Sequence, residues 1–210
     1  MRQNLKEFAW AVLAILLLVS PAHADDSGPT AIVKNFQASL LATIKNAEKI
    51  GVQGRYDIIA PAIESTFHLP LMAATATAPY WRAGKPEQRK NLIEAFSKMS
   101  ATIVATLFDS YDGESFKVLR ERRTRGPTVL VDTQIEIRDD NPVNITYVAA
   151  RIRGRWWLID IIVAGGISEV KVRRNEYMSL LKQGGLPRLT RELREKSARM
   201  LTGNKSAKAK

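Results

Sequence analysis

The segment GRWWLIDIIVAGG, from Gly154 to Gly166, reads as a β-strand that has no polar face. Period-two alternation divides its side chains into two sets, Trp156, Leu158, Asp160 and Ile162 on one face and Trp157, Ile159, Ile161 and Val163 on the other. An antiparallel strand usually shows one apolar face and one face toward water. We therefore expect this strand to need cover on both sides, which C-terminal helices could supply, with Asp160 as the lone charge in the run.

Three more strands are predicted before this one. Residues 114–123 alternate apolar and polar side chains, and VNITYVAARI (residues 143–152) reads as another strand. The clearest pattern is TVLVDTQIEIRDD (residues 128–140), in which one face carries Val129, Val131, Thr133, Ile135 and Ile137. Turn-forming residues at 139–142 and at 153–155 separate the strands. Four consecutive strands with short connections predict an antiparallel meander.

Helical patterns come before the sheet. Residues 29–50 repeat apolar side chains at helical spacing and should end at Gly51, and residues 56–78 predict short helical pieces separated by Pro61 and Pro70. Pro86 stands at the first position of the strongest predicted helix. Its apolar stripe consists of Leu92, Phe96, Met99, Ile103, Leu107 and Tyr111.

Helical patterns return after the sheet. Ser168 is the expected N-cap of one helix, Gly184-Gly185 its expected end, and Pro187 opens a last basic helix that runs to about Met200. Helices first, strands next and helices again indicate the α+β class. We predict a curved antiparallel sheet of about four strands, covered by helices from both ends of the chain.

The first 24 residues have the pattern of a secretory signal peptide. Arg2 and Lys6 precede a 12-residue apolar run, Phe8–Val19, and Ala22-His23-Ala24 resembles a cleavage site. A membrane anchor is the alternative, but a spanning helix needs roughly 20 apolar residues. We predict cleavage after Ala24, a single exported domain over residues 25–200, and a disordered basic tail over residues 201–210.

The charge of the chain is strongly positive, with a formal net charge of +11. Basic residues concentrate in KVLRERRTR (residues 117–125) and in residues 171–210. Such clusters are typical of proteins that bind nucleic acid, an anionic membrane or an acidic partner. Export argues against nucleic acid, and a solvated helix face with a soluble tail is the simpler alternative.

The chain offers little for catalysis. It has no cysteine, and after signal cleavage its one histidine is His68, so neither a thiolate site nor a histidine metal cluster can form. No phosphate-binding glycine loop or dinucleotide fingerprint is present. Asp160 could act as an acid or base, although an ion pair with an arginine of a covering helix is the simpler expectation. We predict no enzyme, no cofactor and no metal, and an enzyme that uses Asp160 or His68 on a small hydrophobic substrate stays open as an alternative.

Four stretches, in order, resemble one known family over residues 29–200: RYDIIAPAIESTFHLPLMA (55–73), YWRAGKPEQRKNLIEAF (80–96), LFDSYDGESF (107–116) and RWWLIDIIVAGGISEVKVRRNEYMSLLKQGG (155–185). Together they look like the MlaC-type periplasmic lipid-binding proteins, also called the toluene-tolerance family. The segment GGISEVKVRRNEY is most similar to the hopanoid-associated branch, HpnM. One departure is His68, because the family often has aspartate after the phenylalanine that matches Phe67.

The resemblance implies a periplasmic lipid carrier. Such proteins hold phospholipid, or in the hopanoid branch a triterpenoid lipid, in an apolar pocket between sheet and helices. They exchange it with an ABC-type transporter at the inner membrane and a complex at the outer membrane. We accordingly expect a monomer that contacts membranes transiently and binds no nucleic acid. A basic protein that binds membrane surfaces without carrying lipid is a further alternative.

The resemblance also suggests which residues contact the lipid. The candidates for the pocket wall are Phe67, Leu71, Met72, Phe96, Ile103, Leu107, Val131, Tyr147, Ile159 and Ile161, each of which could equally be ordinary core. The candidates for contact with lipid head groups or membrane are Arg120, Arg122, Arg173 and Arg174, whose alternative is a solvated surface.

Overall fold

The computed structural model describes residues 28–138, 140–163 and 166–203. The predicted signal peptide and its cleavage site lie outside the described residues, as do Asp139, Gly165 and residues 204–210 of the predicted tail. Among the residues that are described, no helix combines the length and the apolar character needed to span a bilayer.

The strands form one antiparallel sheet in chain order. They are β1 (Ser115–Arg123), β2 (Thr128–Glu136), β3 (Val143–Ile152), β4 (Arg155–Val163) and β5 (Ile167–Ser168). The predicted meander is confirmed, but the prediction of about four strands was wrong by one. Gly166 adopts φ 103°, which favours glycine, and the chain reverses there so that Ile167 and Ser168 pair with the end of β4.

Within the described ranges, six helices accompany the sheet and confirm the α+β class. They are α1 (Pro29–Ile44), α2 (Ala47–Thr66), α3 (Leu69–Thr77), α4 (Tyr80–Ala83), α5 (Pro86–Leu107) and α6 (Glu169–Leu201). Pro86 begins α5 as predicted. Ser168 caps α6 as predicted, because its Oγ accepts a hydrogen bond of 3.2 Å from the Lys171 N–H.

Two helix predictions were wrong. The first helix ends at Ile44, six residues before the predicted end, and a new helix begins at Ala47. The predicted break at Gly51 is nevertheless present as a kink within α2, because Gly51 adopts φ 62° and ψ −178°. Pro61 was expected to separate two helical pieces but lies inside α2. Ile59 and Ile63 are buried on either side of it, so packing holds the helix together across a residue that disfavours helix.

A β-bulge decides which side chains of β4 face the helices. Leu158 pairs with Ala149, Asp160 pairs with Val148, and Ile159 between them has no partner across the strand pair. The extra residue reverses the alternation, so Leu158 and Ile161 share the inner face. The faces predicted from strict alternation were therefore wrong beyond Leu158, because Ile161 rather than Asp160 shares the face of Leu158.

The outer edge of β4 is covered by two short segments. Phe67 forms an isolated parallel bridge with Leu158, whose carbonyl accepts a 2.8 Å hydrogen bond from the His68 N–H, and β5 pairs with the other end of the strand. On the outer face, Trp157 lies beneath the Arg155 guanidinium at 4.1 Å and meets the edge of the His68 ring. Protein groups thus cover both the edge and the outer face of this apolar strand.

The core lies between the inner face of the sheet and the helices. Val131, Tyr147 and Leu158 project from three neighbouring strands and are almost fully buried. α1 packs across them, and Phe36 meets Phe67 and Tyr147 edge to face at centroid distances of 5.0 and 6.2 Å. This packing fixes the positions of the strands and helices that surround an apolar cavity.

Candidate functional site

An apolar cavity of about 110 Å³ lies between the helices and β4. Its lining residues are Phe36, Ile63, Phe67, Leu69, Met72, Phe96, Ser100, Ile103, Val104, Ile161, Glu169, Val170 and Arg173. Ten of these thirteen side chains are apolar. Because five helices or their flanks contribute residues and the sheet contributes Ile161, the cavity is a gap between the two layers of the fold.

Local structure explains why these side chains meet. On α5, Phe96, Ser100 and Ile103 follow one another at helical spacing and form one wall. The bulge at Ile159 turns Ile161 inward, so the sheet meets that wall with a β-branched side chain. Phe67 ends α2 in an extended conformation and bridges to Leu158, which places its ring between α1 and the sheet.

Three polar residues line the cavity, and two of them, Glu169 and Arg173, are hydrogen-bonded to each other. Ser100, Glu169 and Arg173 are all partly exposed, so we infer that the cavity opens to solvent beside them. Arg173 donates hydrogen bonds of 3.2 Å to Glu169 and 2.8 Å to Glu176. Burial by itself would lower the pKa of Arg173, but Glu176 and Glu169 outweigh it and raise that pKa. The opening therefore carries a permanent, oriented guanidinium.

Half of the predicted wall residues line this cavity. They are Phe67, Met72, Phe96, Ile103 and Ile161. Val131 and Tyr147 lie in the core beside it, and Ile159 is the bulge residue of β4. Leu71 and Leu107 are exposed, with 71% of Leu107 accessible to solvent.

The four predicted basic residues separate into two pairs. Arg173 lines the cavity and Arg174 is exposed beside it on α6. Arg120 and Arg122 lie on the outer face of the sheet, where each donates a 2.7 Å hydrogen bond to Asp132. The hydrogen bond from Arg122 is the largest influence on the carboxylate of Asp132, and it keeps the pKa of that group well below its usual range despite partial burial.

Asp160 forms a different interaction from the one predicted. Its carboxylate accepts hydrogen bonds from the Ser168 hydroxyl at 2.5 Å, the Val170 N–H at 3.1 Å and the Ile161 N–H at 2.8 Å. These partners belong to the start of α6 and to β4, so the expected arginine ion pair was wrong. The negative charge sits at a helix N-terminus, where unpaired N–H groups and the helix dipole favour an anion.

His68 also forms a hydrogen bond with the backbone at the start of a helix. It caps α3, since its Nδ1 accepts a 3.1 Å hydrogen bond from the Leu71 N–H, and its ring packs against Trp157. An aspartate carboxylate at the same position could accept the same bond, so the departure from the family pattern preserves the local structure.

A buried polar pair lies behind the cavity wall. Gln37 is 4% exposed, and its Nε2 has no hydrogen-bond partner among the described residues. It lies near the Tyr147 phenol, whose pKa burial raises to about 12 while the amide partly offsets the rise. Phe36 packs against Tyr147 and Ile161 pairs with it across the strands, and both of these residues also line the cavity.

Sequence reasoning missed several lining residues. Phe36 belongs to the apolar repeat that predicted the first helix but was not among the pocket candidates, whereas Ile63, Leu69 and Val104 gave no signal beyond ordinary hydrophobicity. Glu169 could have been suspected, because it follows the predicted cap Ser168 and is four residues before Arg173.

Comparisons with known proteins identify a family and a solved structure that are similar to this chain. A model of the family described as "MlaC protein" matches residues 34–195. The fold is also similar to that of a phospholipid-binding protein from Ralstonia solanacearum, solved in complex with a phospholipid. The two chains share 19% identity with a TM-score of 0.70, over 81% of this chain and 97% of the other, which shows a common fold. Since the family model matches well over half of its residues, this chain belongs to the MlaC family.

Proposed function

We propose that this protein binds the hydrocarbon part of a membrane lipid in the cavity and carries it through the periplasm. The observation that supports this most directly is the lining of the cavity, which is apolar except for three residues at the opening. A wall of this kind offers no directional bonds to a polar substrate, but it shields hydrocarbon from water. Each buried methylene is worth about 0.8 kcal/mol, so an acyl chain gains many kcal/mol by entering.

The comparisons support the same proposal. The Ralstonia protein was solved with a phospholipid and shares the fold of this chain, and family membership is consistent with a binding protein. We propose a phospholipid as the cargo, with a hopanoid as the alternative because GGISEVKVRRNEY resembles the hopanoid-associated branch. Phe67, Met72, Phe96, Ile103 and Ile161 would contact the chains.

Arg173 would hold the head group. Its guanidinium is held in place by Glu169 and Glu176, and the planar fork of an arginine can donate two parallel hydrogen bonds to the oxygens of a lipid phosphate. Arg174, exposed on the same helix, adds positive charge on the solvent side.

The cavity must widen to admit a lipid. Its volume of about 110 Å³ is below that of cavities of roughly 150 Å³ that bind a single benzene ring. Two acyl chains are several times larger than benzene. We therefore propose that α6 or α3 moves away from the sheet as the chains enter.

Binding without catalysis fits the roles of the two candidate acid–base residues. Asp160 accepts backbone and hydroxyl hydrogen bonds at the start of α6, and His68 caps α3. Both side chains are already engaged in holding helix ends. We propose a monomeric carrier without a cofactor, exported by residues 1–24, that exchanges lipid with an inner-membrane ABC-type transporter and an outer-membrane complex.

The first test is to identify what the protein carries. The mature chain would be purified from the periplasm without detergent, and its lipid determined by native mass spectrometry and by extraction. We expect about one lipid per protein, retained at high salt because apolar burial is not screened by ions. A protein that arrives without lipid and takes up neither phospholipid nor hopanoid from liposomes would overturn the proposal.

A matched pair of variants tests the site itself. Ser100→Phe places a ring in the cavity opening, whereas Ser179→Phe places the same ring on an exposed position of α6. We expect the first variant to lose most of its lipid and the second to keep it, with similar melting temperatures. Equal lipid content in both variants would assign the lipid to another part of the molecule.

A further inference from the structure

The apolar stripe of α5 continues beyond the cavity into solvent. Phe96 is 3% exposed, Ile103 is half-buried in the cavity wall, and Leu107, one turn further on, is 71% exposed. Residues four apart lie on the same side of a helix, so Leu107 extends the face that Ile103 presents to the cavity. The stripe therefore runs from the core, along the cavity wall, and out past its end.

A second exposed apolar side chain lies on the opposite wall. Ile167 of β5 is 56% exposed and pairs with Val163, which places it on the same face of the sheet as the cavity-lining Ile161. It also stands two residues before Glu169, which lines the opening. We call Leu107 and Ile167 the rim pair, because each continues one wall of the cavity outward.

We propose that the rim pair docks on a lipid bilayer, so that hydrocarbon passes between membrane and cavity without crossing water. This inference rests on the proposed function. A bilayer is the occupant that fits, because the exposed surface is continuous with a lining suited to hydrocarbon and consists of two separate apolar side chains, which is small for a stable protein interface.

Charge beside the rim pair fits an anionic bilayer. Lys171 and Arg174 lie in the first turns of α6 and are exposed, and neither forms an ion pair with any residue that the structure describes. Such residues attract acidic lipid head groups within a Debye length. Binding should therefore tighten as the anionic fraction of the membrane rises and weaken with salt.

An exposed leucine elsewhere in the chain provides a control for the rim pair. Leu119 is 47% exposed, but it lies at the irregularity of β1, the edge strand farthest from β4 and β5. It matches the rim pair in hydrophobicity and exposure, and it differs in position. A general effect of exposed leucine would appear at Leu119 as strongly as at Leu107.

The first experiment uses the absence of cysteine from the sequence. Leu107→Cys, Ile167→Cys and Leu119→Cys would each carry one environment-sensitive fluorophore and be mixed with vesicles of phosphatidylethanolamine and phosphatidylglycerol. We expect a blue shift at positions 107 and 167 and none at 119. Solvent-like emission at both rim positions, in a protein that still takes up vesicle lipid, would overturn docking and assign the rim to a protein partner.

The second experiment measures binding and transfer. Leu107→Asp and Ile167→Asp should each lower vesicle affinity and the rate of lipid transfer between vesicles by about tenfold or more, whereas Leu119→Asp should not. Lipid that co-purifies with the protein should be unchanged, which separates this inference from the carrier proposal. Equal transfer rates for Leu107→Asp and Leu119→Asp would refute the inference, whereas loss of lipid from every form, wild type included, would refute the carrier.

Discussion

Replacing Asp160 should destabilise the protein through the start of α6. The carboxylate accepts three hydrogen bonds, and two of them, from the Ser168 hydroxyl and the Val170 N–H, connect β4 to the helix. Hydrogen bonds to a charged group contribute about 1.5–3 kcal/mol each when their loss leaves a donor unsatisfied. Ser168 would still cap the helix through Lys171, so we take the lower end of that range and expect Asp160→Ala to cost about 3 kcal/mol.

Urea unfolding of the mature protein, followed by circular dichroism and tryptophan fluorescence, would measure this loss as a lower midpoint at constant slope. Asp160→Asn keeps the shape and one acceptor oxygen but loses the charge, so it should lose about half as much. Asp109→Ala, which changes an exposed aspartate at the end of α5, should stay within about 0.5 kcal/mol of wild type. If Asp160→Ala unfolds at the same urea concentration as Asp109→Ala, the capping role is refuted.

Three further outcomes are expected. Gln37→Met combined with Tyr147→Phe should raise the free energy of unfolding by about 1 kcal/mol, because the pair of changes removes a buried N–H group that lacks a partner without leaving the phenol unpaired, and a lower midpoint in urea would contradict this. Because the pKa of Asp132 is lowered in the folded protein, its carboxylate stabilises the fold fully above the unfolded-state pKa of about 4, and this stabilisation is lost as the pH falls further. The free energy of unfolding of Asp132→Asn should therefore depend less on pH in acid titrations. Gly185→Ala should lower the melting temperature, at a cost of about 1–3 kcal/mol, since φ 61° with ψ −156° strains any side chain; an unchanged melting temperature would show that the segment can rearrange.

The strand pattern was predictable wherever burial follows strict alternation. In β2, Val129, Val131, Thr133 and Ile135 are buried as the sequence indicates, because the irregularity of the β1–β2 pair lies in β1 and β2 itself keeps strict alternation. In β4 the same reasoning failed at Ile159. A bulge adds one residue without a sequence signature in a run that is apolar except for Asp160, so the alternation alone does not reveal where its phase changes.

The role of Asp160 was hidden by the same shift. Alternation placed it on the face of Leu158 as the lone charge in an apolar run, where an isolated carboxylate would need a cationic partner. Beyond the bulge it leaves that face, and its carboxylate accepts hydrogen bonds from the start of α6, to which the turn at Gly166 returns the chain. The cap Ser168 was visible from sequence, but the second acceptor depends on β5, a strand of two residues that is too short to show a pattern.

The cavity could be predicted only in part, for a different reason. Hydrophobic side chains that fill a core and those that border a gap have the same sequence signature, as Tyr147 and Phe67 show. What separates them is how closely α1, α3 and α5 approach the sheet, which depends on the packing of the whole layer. Arg173 was identifiable as a basic residue near the end of the apolar strand, but its place at the opening depends on where α6 begins.

The break in α6 has a mechanical consequence. Gly184 and Gly185 leave helical geometry, so the half of α6 that carries Val170 and Arg173 and the half that buries Leu189 and Leu193 do not form one continuous rod. A rigid rod would transmit any outward tilt of the cavity wall directly into the packing of its other half. With the break between them, the outward movement of the wall that we propose for lipid entry would bend the chain at the glycine pair and leave the packing of the second half intact. Lipid entry would then not require the core around Leu189 and Leu193 to open.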